Sequence, residues 1–160
     1  VNFTNLANAN FVVMFLDADE SKTVPSQVAP LAPWMGLEVV NGIESLPDEI
    51  YCIAYGRTSD APPFGYIGSV VVVKAENPPR LRKSCIQEEM SQALGLANDG
   101  ANIRPSIFND DEEFAYLTAH DEFLLKMLYD PRLADGMTPA TQAPILRQVA
   151  QDAMKKSLIF

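Results

Sequence analysis

Four consecutive valines at positions 70–73 constrain this chain more than any other feature. They lie in the segment 66–75, Tyr-Ile-Gly-Ser-Val-Val-Val-Val-Lys-Ala. β-Branched side chains favour extended backbone, and an unbroken apolar run offers water no polar face. The segment is expected to be a strand buried on both faces, inside a sheet. Two other runs also read as strands. Residues 10–17, Asn-Phe-Val-Val-Met-Phe-Leu-Asp, read as a buried strand, and residues 49–56, Glu-Ile-Tyr-Cys-Ile-Ala-Tyr-Gly, as another.

The stretch from Cys85 to Asp99 carries the polar chemistry. Glu88 and Gln92 are four apart and share a helix face, and Glu89, three before Gln92, is expected on the same edge. Ile86, Met90, Ala93, Leu94 and Ala97 form the apolar stripe expected to pack on a core. Gly95 lets the chain leave the helix, and Asn98 follows just after the turn. The helix is expected to begin near Leu81, after the rigid connection Asn77-Pro78-Pro79.

Elsewhere the punctuation is plain. Pro25, Pro30 and Pro33 exclude one regular helix over 24–35, leaving room for a short one opening at Pro25, with Trp34 on the core. Residues 36–47 read as irregular. The acidic turn 17–21 lacks the spacing and closing glutamate of a calcium loop, so solvated side chains are expected. Thr118 is a good N-cap and Asp121, three later, completes a capping box. That helix should run to Tyr129 before Pro131, with Leu117, Leu124, Leu125 and Leu128 on one face. A last amphipathic helix is expected over 140–157, with Ile145, Leu146, Val149, Ala153 and Met154 inward. Asn109, Asp110 and Asp111 read as a solvated or capping cluster, and His120 as an exposed or capping-region residue.

A chain of 160 residues is one domain by length, large enough for a real core. A net charge of −9 disfavours nucleic acid and anionic membrane surfaces as partners, since both need clustered Lys and Arg. No run approaches the roughly 18–20 apolar residues that span a bilayer, so no transmembrane segment is expected. The two cysteines, Cys52 and Cys85, leave two readings open. A disulfide would tether the polar helix to the sheet and imply an oxidising compartment; otherwise they are a pair of packed thiols.

The layout around Glu88 resembles the metzincin zinc-peptidase motif H-E-x-x-H-x-x-G-x-x-H with every histidine replaced. On that resemblance Glu88, Gln92 and Asn98 stand at the three metal-ligand positions, Glu89 at the general base and Gly95 at the turn. Ala93-Leu94-Gly95-Leu96 is similar to the matrixin branch, and Ser106-Ile107-Phe108 to the turn beneath the metal in that branch, with Phe108 in the methionine position. The implied fold is α+β: one zincin-like domain over 1–160, a mixed sheet with the motif helix and C-terminal helices, its opening strand and long helix absent or reduced.

Four segments also resemble, in order, a bacterial family of exported or lipid-anchored proteins carrying a domain of unknown function. They are Glu-Glu-x-x-Gln-Ala-Leu-Gly-Leu-x-Asn-Asp, Ser-Ile-Phe-Asn-Asp, Leu-Thr-x-His-Asp and Leu-Tyr-Asp-Pro-Arg-Leu-x-x-Gly-Met. That resemblance implies a periplasmic, secreted or lipid-anchored location and an envelope or extracellular protein or peptide as partner.

Catalytic zinc takes three strong nitrogen, sulfur or carboxylate ligands. Neutral amides at Gln92 and Asn98 are weak zinc ligands, so zinc is not expected. Oxygen-only ligands suit calcium or magnesium better. Without a metal Glu89 lacks the partner that makes it a peptidase base. The expected function is a non-catalytic binding or scaffolding module with a peptidase-like cleft and no cofactor. The rival is a divergent hydrolase using Glu89 as base with a cation held by Glu88 and Asn98.

Overall fold

The computed structural model describes residues 8–109 and 114–157, with side chains to 155. The architecture is α+β, with one small mixed sheet and several helices. The chain divides into two compact units. One lies within Val1–Thr58 and Tyr66–Ala97, the other within Ser59–Gly65 and Asn98–Phe160.

The first unit is built on the valine run. Strand β3 (Tyr66–Lys74) is the middle of three, between β1 (Phe11–Leu16) and β2 (Cys52–Thr58). β1 runs parallel to it and β2 antiparallel. Val70, Val71, Val72 and Val73 are 0–1% exposed, which the period-2 geometry explains. Val70 and Val72 face a cluster with Val12, Met14 and Leu16 of β1 and with Met35, Val39, Val40 and Ile43. Val71 and Val73 face the opposite cluster, with Cys85, Ala93, Leu81, Ile86 and Met90. Each buried valine contributes about 1.5–3 kcal/mol, so this strand anchors both layers.

The first face is covered by α1 (Val24–Val28) and α2 (Gly36–Glu44). Pro25 stands in the first turn of α1, where its missing N–H costs nothing. The expectation of irregular chain over 36–47 is corrected by α2. Gly36, Asn41 and Gly42 dilute its helix propensity, but Val39, Val40 and Ile43 bury one stripe and the packing overrides propensity. The acidic turn forms a reciprocal box: Glu20 N–H donates to Asp17 Oδ1 at 2.8 Å and Asp17 N–H to Glu20 Oε2 at 3.0 Å.

Trp34 donates its indole N–H to Ala9 O at 2.8 Å and lies flat against Gly68. A Cβ at position 68 would meet the Trp34 ring at 2.3 Å. Glycine is required there because the ring occupies the space of a side chain. Gly68→Ala is therefore expected to destabilise the first unit by about 1–3 kcal/mol through overpacking. A lower Tm, followed by the fluorescence of the chain's single tryptophan, checks this. An unchanged Tm would mean that the ring moves aside freely.

The second face is covered by α3 (Pro79–Ala93), which begins two residues before the expected Leu81 because Pro79 opens its first turn. Three contacts fix α3. Cys85 forms a disulfide with Cys52 of β2, closing a separation of 33 residues. Ser69 Oγ of β3 donates to Ala93 O at 3.0 Å. Buried Asn77 donates through Nδ2 to Tyr51 O at 3.0 Å and approaches Cys85 Sγ at 3.7 Å.

In the second unit, α4 (Ala119–Leu128) and α5 (Pro139–Ser157) follow the loop that starts at Asn98. Arg132 grips Asp130 through two donors, at 2.8 and 2.9 Å, and reaches Asp152 of α5 at 2.7 Å. Val149 is 2% exposed, as its inward place on α5 requires. Met154 and Leu128, expected on buried faces, are 52% and 37% exposed. Both sit near the C-terminal end of their helices.

Candidate functional site

The first candidate is the exit of α3. The helix ends in a Schellman turn: Leu96 N–H donates to Ser91 O at 3.2 Å and Gly95 N–H to Gln92 O at 2.9 Å. Gly95 has φ of 120°, which only glycine adopts without strain. The turn ends the helix earlier than the apolar stripe suggested. Leu94 and Ala97, expected in that stripe, lie beyond the last helical residue and are exposed.

Glu88 and Gln92 are half-buried, and Glu89 is buried, at 7% exposure. The edge drawn from helical spacing therefore separates its carboxylates: Glu88 keeps partial access to water and Glu89 does not. Each of the three makes interactions within the folded chain. Asn98 is exposed and belongs to the second unit.

The donor chemistry tests the metal that the motif resemblance implies. Glu88 offers a carboxylate, while Gln92 and Asn98 offer only amide oxygens. Among the described residues, no group of three His, Cys, Asp or Glu side chains is placed to hold a metal ion. This set does not fit zinc, which needs three strong ligands.

The second candidate is centred on Asp121, which is fully buried. Four donors converge on its carboxylate. Ser106 Oγ donates at 2.5 Å, Ile107 N–H at 3.0 Å and Thr118 N–H at 2.8 Å. The Thr118 hydroxyl lies at 2.9 Å and has one proton, which it offers to Asp121 or to Pro105 O at 2.8 Å. The Asp121 N–H closes the capping box on Thr118 Oγ1. Both halves of that box were legible in the sequence. The link to Ser106 was not, since the two residues are 15 apart and joined only by folding.

Burial works to raise the Asp121 pKa. The Ser106 hydroxyl, the Thr118 and Ile107 N–H groups and the Thr118 hydroxyl outweigh it, holding the carboxyl below its ordinary value. Saturated by donors and closed to water, this carboxylate is a structural centre and cannot act as a general base. Ser106 is likewise fully buried, its Oγ accepting from Phe108 N–H at 3.0 Å, and cannot serve as a nucleophile. His120 Nδ1 lies 3.8 Å from Asp121 Oδ1, beyond hydrogen-bond distance.

Asn109 was expected in a solvated or capping cluster. It is 3% exposed, and its Nδ2 donates to Ala101 O at 3.1 Å and Ile103 O at 3.3 Å. With Gly100 N–H on Phe108 O at 2.9 Å, it ties the 100–109 loop to itself. Asp110 and Asp111 lie outside the described residues.

The profile of a family described as a protein of unknown function (DUF2927) matches residues 1–148. No curated protein and no solved structure matches the chain.

Proposed function

Since the chain belongs to the DUF2927 family, whose description assigns no activity, we propose a role read from its own residues: an exported, non-catalytic binding or scaffolding module on a zincin-like frame. The observation that carries this reading is the burial of Glu89. A hydrolytic base must reach a water molecule beside its substrate, and this carboxylate is closed off. The weak donor set at Glu88, Gln92 and Asn98 supports the same reading. The disulfide supports export, since such bonds persist in oxidising compartments. The location is then the periplasm, the exterior or the cell envelope of a bacterium, with a protein or peptide as partner. Among the described residues no helix is long and apolar enough to cross a membrane.

The test is metal analysis of protein purified without added metal or chelator, with melting curves in EDTA and in calcium or magnesium. The expected results are no stoichiometric metal and superimposable melts. Glu89→Gln should then cost no more than about 1–2 kcal/mol, the scale of one altered hydrogen bond. A stoichiometric cation whose removal lowers Tm would overturn the reading. It would favour the divergent hydrolase, with Glu89 as base and a calcium or magnesium ion held by Glu88 and Asn98.

A further inference from the structure

Strand β1 is an edge strand with an unusual sequence for that place. All six residues, Phe-Val-Val-Met-Phe-Leu, are apolar. Edge strands are ordinarily protected by charge, proline, a bulge or short length. The opposite edge, β2, carries Arg57, Gly56 and a register shift between Arg57 and Thr58. β1 carries none of these.

The direction of its backbone groups follows from the ladder. Asn10 O accepts from Ser69 N–H, and Leu16 O accepts from Ala75 N–H. Even-numbered residues therefore turn their N–H and C=O toward β3. Phe11, Val13 and Phe15 turn theirs outward. Among the described residues, nothing pairs with these six groups. Their side chains share one face. Phe15 is 48% exposed, and Phe11 and Val13 are half-buried.

We infer that β1 pairs edge to edge with β1 of a second copy of this chain, antiparallel, about a two-fold axis at Val13. In that register Phe11 faces Phe15 of the second copy, Val13 faces Val13, and Phe15 faces Phe11. Every outward N–H and C=O finds its partner. Each Phe–Phe pair is a favourable cross-strand aromatic contact, and β-branched valines meet at the axis.

Charge selects this direction over a parallel one. The acidic turn, Asp17, Asp19 and Glu20, directly follows β1, whereas Asn8, Ala9 and Asn10 before it are uncharged. Antiparallel pairing lays each acidic turn beside the uncharged lead-in of the other copy. The two Asp17 residues are then eight positions apart along the strands, about 27 Å, well beyond a Debye length of about 10 Å at 0.1 M salt. Parallel pairing would place them side by side. The contact is also closed, because it consumes the outward edge of β1 in each copy.

Sedimentation equilibrium of the full chain over a wide concentration range tests this. The expected result is a reversible rise from 17.6 kDa to twice that mass. Amide exchange at Phe11, Val13 and Phe15 should slow as the dimer forms. Phe15→Lys removes both aromatic pairs and should weaken the dimer by about tenfold or more. Val13→Pro deletes an N–H that the single copy leaves unpaired and should abolish the dimer while the far-ultraviolet circular dichroism is retained. A monomer at every concentration overturns the inference. So does a dimer that survives both substitutions, or exchange at the three amides that is independent of concentration.

Discussion

Asp121→Ala is expected to cost about 3–5 kcal/mol, because two buried donors, the Ser106 hydroxyl and the Ile107 N–H, and one part-buried donor, the Thr118 N–H, lose their acceptor at about 1–3 kcal/mol each, less some relaxation. The substitution also removes half of the capping box that starts α4. Urea unfolding followed by far-ultraviolet circular dichroism reads the loss. Trp34 fluorescence follows the first unit separately, and two compact units make a single two-state fit a test rather than an assumption. A cost below about 1 kcal/mol would mean that the donors find other partners and that Asp121 is not the centre of its unit.

The same carboxylate gives a pH dependence of definite sign. Its folded pKa lies below the ordinary value of 3.8, so the folded state holds the charged form more tightly than the unfolded chain does. The stability it contributes is complete above the unfolded value and disappears as pH falls through the folded one. The protein should therefore lose stability below about pH 4, and Asp121→Asn should flatten that acid limb. Asparagine keeps the shape but brings two donors to a place already crowded with donors, so its stability at neutral pH should fall between those of wild type and alanine.

What could be read from the sequence follows from how local each signal is. The valines at 70–73 state their own burial, because no polar residue interrupts them and one strand must then serve two faces. Thr118 and Asp121 state a helix start through a spacing of three. Gly95 states the exit of α3 through a conformation that only glycine enters freely. The failures are non-local. Helix α2 is weak in propensity and exists because Val39, Val40 and Ile43 have a valine strand to lie on. β2 is displaced to Cys52–Thr58 from the expected 49–56, because its register is set by Val73 opposite Cys52 and not by its own β-formers. Glu89, three before Gln92, follows Glu88 and stands about 100° further round the helix, a step the sequence itself states; which of the two carboxylates the fold covers is the non-local part. That rotation separates a buried carboxylate from a half-exposed one.

Replacing both Cys52 and Cys85 with alanine is expected to lower stability by about 3–4 kcal/mol, since the bond closes a 33-residue separation and limits the freedom of the unfolded chain. Alanine is the right probe. Cys85 is 1% exposed among Val71, Val73 and Ala93, where serine would add a buried hydroxyl and confuse the reading. The loss should fall on the first unit, where the bond joins α3 to β2, so Trp34 fluorescence should report it. Dithiothreitol should shift the wild-type urea midpoint toward that of the double variant and leave the variant unmoved. The thiolate should attack at half-buried Cys52, because Cys85 is closed to solvent. In a reducing compartment the chain would lose this contribution, which joins the measurement to the proposed export. If dithiothreitol leaves the wild-type midpoint unchanged, the helix is held by the valine layer and its hydrogen bonds without the disulfide, and the export reading loses its physical support.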